Sequence, residues 1–301
     1  MNSTPEKRKP DMHLRFLPAL LPSRRKADKA QRDASPLQEL VQRDLAGLRV
    51  GDLTVRLAEN NEDIEAAQAL RYRIFYEEMH AQPTWQMRRL ERDFDDLDPV
   101  CDHLLVYDNN REVVVGTYRL ITRAMAVKRG GFYTSGEYDI GCLETYPGGV
   151  LELGRSCVDA EYRNGTTMQL LWRAIAIYVT AHGVELMFGC ASLPGVDVEA
   201  LRLGLSYLHH HHLAPEATRP IALPARRVAM NILPKERIDP KLALQSLPPL
   251  VKGYLRVGAR IGDGAVVDWQ FNTTDVCIVV QTEYVADKYL KRFDIPGASD
   301  A

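Results

Sequence analysis

The 301-residue chain has no run of about 18 apolar residues, so no transmembrane helix is expected. Its longest apolar region, residues 170–181, carries Arg173 and is too short. The N-terminus lacks the apolar core and small-residue cleavage site of a secretory signal, and a cytoplasmic location is expected. Paired cysteines are missing too. The five (Cys101, Cys142, Cys157, Cys190 and Cys277) are odd in number and form no CxxC, which argues against a disulfide scaffold or a cysteine-built zinc site. Neither sign of charge dominates: 38 Lys and Arg stand against 40 Asp and Glu, so whole-protein nucleic-acid binding is not indicated. There is no internal repeat. What remains is enzyme-like, with 46% apolar and 26% charged residues.

Residues 1–35 stand apart. Nine Lys and Arg against three acids fall within residues 1–32, interleaved with Leu14, Phe16, Leu17, Leu20 and Leu21. A solvated, disordered tail is the plain expectation, and weak peripheral contact with anionic lipid the sharper one. Pro18 and Pro22 interrupt any long helix there. From about residue 48 strands and helices alternate, which defines an α/β fold. The patterns predict strands over 53–57, 102–107, 112–120, 150–159, 184–190 and 276–280. They predict helices from Asn60 or Asn61 to about Met79, over 165–181, near 196–208 and over 248–259. Residues 80–101 read as a long acidic connection. Residues 123–149, with six glycines, read mostly as loop.

The strongest chemical signal is the strand-turn-helix unit from Leu151 to Leu171. Gly165 opens a helix whose first N–H groups lack internal partners, and these form an anion site for a pyrophosphate or a phosphopantetheine phosphate. An ordinary glycine turn is the alternative. The unit resembles the acyl-donor loop of GNAT acyltransferases, Gln/Arg-x-x-Gly-x-Gly/Ala. Gly165 fits, whereas Tyr162 and Thr167 depart from the pattern, which leaves room for a donor carried on acyl carrier protein with its single phosphate.

Further segments narrow the resemblance. Arg71-Tyr72-Arg73-Ile74-Phe75, the acidic stretch Asp93 to Asp98, Gly116-Thr117-Tyr118-Arg119-Leu120 and Glu152-Leu153-Gly154-Arg155 are similar to acyl-homoserine-lactone synthases and their relatives. Gly189-Cys190-Ala191-Ser192-Leu193-Pro194-Gly195, Tyr207-Leu208-His209 and Phe271-Asn272-Thr273-Thr274-Asp275-Val276 resemble the L-ornithine Nα-acyltransferases, the haemolysin-like branch. The resemblance implies a GNAT-like domain over 48–293 with a C-terminal extension, its central mixed, mostly antiparallel sheet flanked by helices. It implies transfer of a 3-hydroxyacyl chain from acyl carrier protein to the α-amine of L-ornithine, giving lyso-ornithine lipid. It brings no bound cofactor; the acyl carrier protein thioester is a donor substrate.

Several residues suit that chemistry. Glu91, Asp93, Asp95, Asp96 and Asp98 put five acids within eight residues, able to pair with the amines of ornithine or simply to face water. Arg71, Arg73, Arg119 and Arg155 could fork onto its carboxylate or pair structurally with aspartates. Strand alternation sets Glu152 opposite Leu151 and Leu153. Facing a cleft, it would take the proton of the attacking ammonium, assisted by Arg155; pairing with Arg155 or Arg119 is the structural alternative. Val158, Arg163, Gly165, Thr166 and Thr167 are the expected donor-binding residues; Arg73, Asp93, Asp95, Asp98 and Arg119 are the expected acceptor-binding ones. Cys157 reads as a buried thiol rather than a nucleophile. No metal is expected, because adjacent residues of the run His209–His212 point in different directions on a helix. A basic face for the carrier could come from Arg123, Lys128 and Arg129, or from Arg226 and Arg227. The alternatives are an N-acyl amino acid or acyl-homoserine-lactone synthase with another amine acceptor, the latter needing S-adenosylmethionine, or a non-catalytic lipid-binding or haemolysin-like protein.

Overall fold

The computed structural model describes residues 36–283. The basic segment at residues 1–35 and the last residues of the expected 48–293 domain lie outside them. Helix α1 (Pro36–Leu45) precedes β1 (Arg49–Val50) and β2 (Leu53–Leu57), where Val55 and Leu57 point into the core. Asn60 caps α2 (Asn61–Tyr72), its side chain accepting from Asp63 N at 2.9 Å. The helix continues to Glu78 as expected, but its last six residues, Arg73–Glu78, widen into a π-helix.

The acidic connection contains a short helix, α3 (Trp85–Leu90), anchored by buried Met87. The hairpin of β3 (Asp102–Asp108) and β4 (Val113–Thr122) follows. Residues 123–149 are more ordered than their glycines suggest. Thr122 caps α4 (Arg123–Arg129), Gly130 ends it at φ +85°, and β5 (Tyr138–Asp139) and α5 (Gly141–Glu144) come next. The glycines therefore mark the boundaries of short elements.

Strand β6 (Gly149–Val158) leads through Gly165 into α6 (Gly165–Ala181), and β7 (Val184–Pro194) runs four residues beyond its expected end. Helix α7 (Arg202–His212) starts later than expected, because the Asp197 side chain accepts from Glu199 N and Ala200 N and holds a turn there. The remaining elements are β8 (Ile221–Ala222), β9 (Arg227–Val228), α8 (Pro240–Ser246), α9 (Pro249–Arg256), β10 (Arg260–Ile261), β11 (Ala265–Asp268) and β12 (Thr273–Gln281).

Among the described residues ten strands form one sheet, in the order β1-β2-β3-β4-β6-β7-β12-β11-β9, with β10 also on β12. Only β6 and β7 pair in parallel among these neighbours. One core lies between the sheet and α6, through Leu171, Ile175 and Tyr178; a second, on the other face, gathers Ile121, Phe132, Tyr138 and Phe188. Cutting such a buried side chain to alanine costs about 2–5 kcal/mol.

Candidate active site

The site arises where the parallel pair β6–β7 comes apart. β6 and β7 are paired from Gly149 to Glu152 against Val184 to Phe188, and no farther. A β-bulge sets Arg155 and Ser156 opposite Tyr118, with Arg155 in the left-handed region at φ +50°. Just beyond the last pair, Gly189 lets the two backbones touch: a Cβ there would lie 2.1 Å from the Leu153 carbonyl oxygen. Past that contact each strand keeps only its outer neighbour, and the sheet splays.

Glu152 sits in the throat, 2% exposed. Its Oε2 accepts from Tyr133 N at 2.8 Å; its Oε1 accepts from Thr134 N at 2.7 Å and from the Thr134 hydroxyl. The segment before β5, not an arginine, is therefore its direct partner. Burial raises its pKa and outweighs those three donors.

Beside it lies a cavity of about 200 Å³ bounded by Glu152, Arg119, Arg155, Phe271, Asp268 and Asp275. Its arginines belong to a buried network. Arg71 donates to Asp93 Oδ2 and Asp98 Oδ2, both at 2.7 Å, and Arg119 donates to Asp95 at 2.6 Å and Asp98 at 3.1 Å. Arg155 reaches Asp93 at 3.2 Å and Asp95 at 3.3 Å, and its guanidinium lies 4.9 Å from the ring centres of both Tyr133 and Phe271. Burial works to raise Asp95 and Asp98, but the arginines overcome it and hold both below the usual carboxylate range.

The acidic stretch is thus not a solvated loop, and Asp93 and Asp98 already have protein cations. They fix Arg119 and Arg155 along the cavity rather than offering open carboxylates to a ligand. Arg73 is elsewhere, on the π-helix, exposed and 3.2 Å from Asp159.

A second cavity, of about 650 Å³, shares Phe75, Met79, Ser156, Ser192 and Leu250 with the first, and is lined by Met168, Trp172 and other apolar side chains. Val158, Arg163 and Gly165 line it. Two of the other expected features change. The Asn164 side chain caps α6, accepting from Thr166 N at 3.0 Å and Thr167 N at 3.1 Å, so these N–H groups are not open to a phosphate. Thr167 is fully buried against Gly116 of β4, so its side chain packs the core. Arg163 forks onto Glu78, at 2.6 Å for the Nη2 contact, and holds the Val158 carbonyl at 2.9 Å through Nε.

Burial pushes the Cys157 thiol up to about 12, in keeping with an inert cysteine. Of the expected carrier-docking residues, Arg123 is tied to the carbonyls of Gly148 and Tyr146, Arg129 to Asp96, and Arg227 to Asp263.

The structure also supplies acids that pattern reading overlooked. Glu137, Asp268 and Asp275 bring carboxylate oxygens within 4.8 Å of one another. Burial, then Asp275, pushes Glu137 up to about 7; burial also pushes Asp275 up to about 6, against hydrogen bonds from Ser192 and Thr273. Asp275 had a sequence signal, being an acid directly before the apolar run 276–280. Glu137 had none.

A mixed sheet that splays at a parallel strand pair, above a helix-opening loop and an apolar trough, is the architecture of a GNAT-type acyltransferase, and residues 70–173 match the acetyltransferase (GNAT) domain family. An L-ornithine N(alpha)-acyltransferase of Agrobacterium fabrum is 46% identical over 268 residues, covering 86% of this chain and 91% of the relative. One from Brucella abortus is 47% identical over 252 residues, covering 81% and 90%. The chain belongs to the L-ornithine Nα-acyltransferase family and is an acyltransferase. A looser likeness, 12% identity and TM-score 0.42 over 78% of this chain and 95% of the other, links it to the AHL synthase LasI.

Proposed function

We propose that this enzyme transfers a 3-hydroxyacyl chain from acyl carrier protein to the α-amine of L-ornithine, giving lyso-ornithine lipid, the first step of ornithine-lipid synthesis. The observation that carries this reading is the meeting of the two cavities at Ser156 and Ser192, one apolar with a volume of about 650 Å³, the other charged and carrying Glu152. The names of the relatives support ornithine as the acceptor.

In the reaction the α-amine attacks the thioester carbonyl. Its proton passes to Glu152, whose Oε2 has one fixed donor and a lone pair to spare. Backbone N–H groups at the bulge, near Ser156–Val158, face the developing oxyanion. The C–N bond forms, the C–S bond breaks, and the thiolate leaves to be protonated. No covalent acyl-enzyme is required. Arg163 and Gly165 meet the phosphopantetheine arm, and Asp93, Asp95 and Asp98 act by holding Arg119 and Arg155. The basic segment at residues 1–35 rests on the membrane surface that receives the product.

The test offers purified protein 3-hydroxyacyl carrier protein or 3-hydroxyacyl-coenzyme A, each against ornithine, lysine and glutamine, with products read by mass spectrometry. N-acyl-ornithine formed with the carrier donor is the expected result. Acylation of another amine only, or no product from any pair, overturns it.

A further inference from the structure

Charge is balanced behind Arg119 and Arg155, which line the acceptor cavity, and unbalanced behind Asp268 and Asp275, which line it as well. Arg71, Arg119 and Arg155 face Asp93, Asp95 and Asp98, three cations against three anions. Glu137, beside Asp268 and Asp275 and just outside the lining, is buried like them, yet among the described residues the ion pair reaching that group is Arg226 to Glu137 at 3.7 Å, with the Arg226 side chain 38% exposed.

Neutral donors hold the cluster in place. Thr273 donates to Asp275 Oδ1 at 2.9 Å, Cys190 Sγ to Glu137 Oε2 at 3.3 Å, and the amides of Gln270 and Phe271 to Asp268 Oδ1 at 2.8 and 3.0 Å. One oxygen of each carboxylate is thereby fixed without its charge being neutralised. Gathering like charges away from water is costly unless a cation joins them, and both raised pKa values record that cost.

A second observation points to the same ligand. Arg119 is 1% exposed and lines the cavity together with Asp268 and Asp275, and among the described residues its Nε has no hydrogen-bond partner. A buried N–H left open beside a ligand-sized space is a place for an anionic group. The two features together suit a molecule with an anion at one end and a cation at the other.

We propose that Glu137, Asp268 and Asp275 form the specificity pocket for the side-chain ammonium of a diamino-acid acceptor, whose α-carboxylate meets Arg119 Nε. This rests on the acyltransferase reading given above and adds how the acceptor is chosen. The α-amine, between the two charged ends, is then presented to Glu152. An amino acid of the same length with a methyl terminus would leave the carboxylates buried and unpaired, and would be rejected for that reason.

The test compares ornithine with norvaline, which lacks the δ-amine, in the full-length enzyme and in Glu137→Gln and Asp275→Asn. Both changes keep the shape of the side chain, and circular dichroism with thermal melts confirms that each variant folds. Binding is measured by calorimetry without donor, and turnover with it. The wild type should favour ornithine in kcat/KM, and each variant should lower that preference by about 30-fold or more, chiefly through KM for ornithine. An unchanged ornithine-to-norvaline ratio in both folded variants overturns the proposal, as does an equal loss for both amino acids. Stoichiometric binding of calcium or magnesium that competes with ornithine and is lost in the variants also overturns it, since the cluster would then be a metal site. The calorimetric arm separates this proposal from the reaction itself: charge-dependent ornithine binding without turnover would sink the catalytic reading alone.

Discussion

Glu152→Gln asks the most of the proposed chemistry, because it removes a proton acceptor while nearly keeping its volume. The carboxylate takes three donors, two backbone N–H groups and a hydroxyl. A glutamine retains one acceptor oxygen and turns an NH2 toward one of those N–H groups. The lost charge-assisted bond should cost about 1.5–3 kcal/mol of stability, visible as a lower melting temperature but not as unfolding at 25 °C. Loss of a positioned base should lower kcat by about 10²–10⁴-fold. KM for ornithine should change less than kcat, because the groups proposed to hold the carboxylate and the side-chain ammonium remain in place. The pH profile provides the more specific readout. The carboxyl titrates above its ordinary range, so wild-type kcat should rise with pH through a limb displaced above that range. The variant should lose this limb and recover part of its rate only as the free amine deprotonates in alkaline solution. The assay is formation of N-acyl-ornithine by mass spectrometry from pH 5 to 9, at saturating donor and acceptor. A folded Glu152→Gln enzyme with kcat within about 3-fold of wild type at neutral pH, or with the limb unchanged, would refute the assignment of the base.

Gly189→Ala should destabilise the fold by about 1–3 kcal/mol and impair turnover as well, because its Cβ meets the Leu153 carbonyl at the point where the strands part; a neutral denaturation midpoint with normal kcat counts against that account. Arg163→Ala should raise KM for the carrier-bound donor, whereas Glu78→Gln, which frees the Arg163 fork, should lower it by about 2–5-fold, the scale of an exposed ion pair; changes of the same sign in steady-state kinetics would contradict the donor role. Stability should peak in mildly acidic solution. Glu137 and Asp275 have raised folded-state pKa values, about 7 and about 6, so their contribution is full below the unfolded values and is lost as pH rises through 6–7, on the order of 3 kcal/mol each. Asp95 and Asp98 have lowered values, so theirs is lost as pH falls below the ordinary carboxylate range; a melting temperature flat from pH 5 to 8 that Glu137→Gln with Asp275→Asn leaves untouched would disprove the first half. Deleting residues 1–35 should reduce sedimentation with anionic lipid vesicles, most clearly at low salt; undiminished partitioning removes the tail from the membrane interaction.

The sequence showed the site's parts better than their partnerships, for reasons that particular residues make plain. Helix α6 and strand β2 match their expected bounds because each carries one uninterrupted period, and a glycine opens the helix. Glu152 could be placed opposite Leu151 and Leu153, since strand alternation is a local property. Its ligands could not, because Tyr133 and Thr134 reach it from a segment about 18 residues away that glycine content made look like loop. The same limit governs the aspartates. A run of acids normally faces water, and nothing near Asp93 or Asp98 in the chain says otherwise. They are buried because Arg71, from α2, and Arg119, from β4, converge on them from 21 to 27 positions away. Each unit is costly to bury alone and stable only when complete, which makes it a property of the folded sheet rather than of any window of sequence. Glu137 and Asp275 are a further case, 138 positions apart and brought together where Tyr138, next to Glu137, donates to the Asp275 carbonyl. The proposed acceptor pocket is therefore set by long-range contacts that no local window of sequence contains.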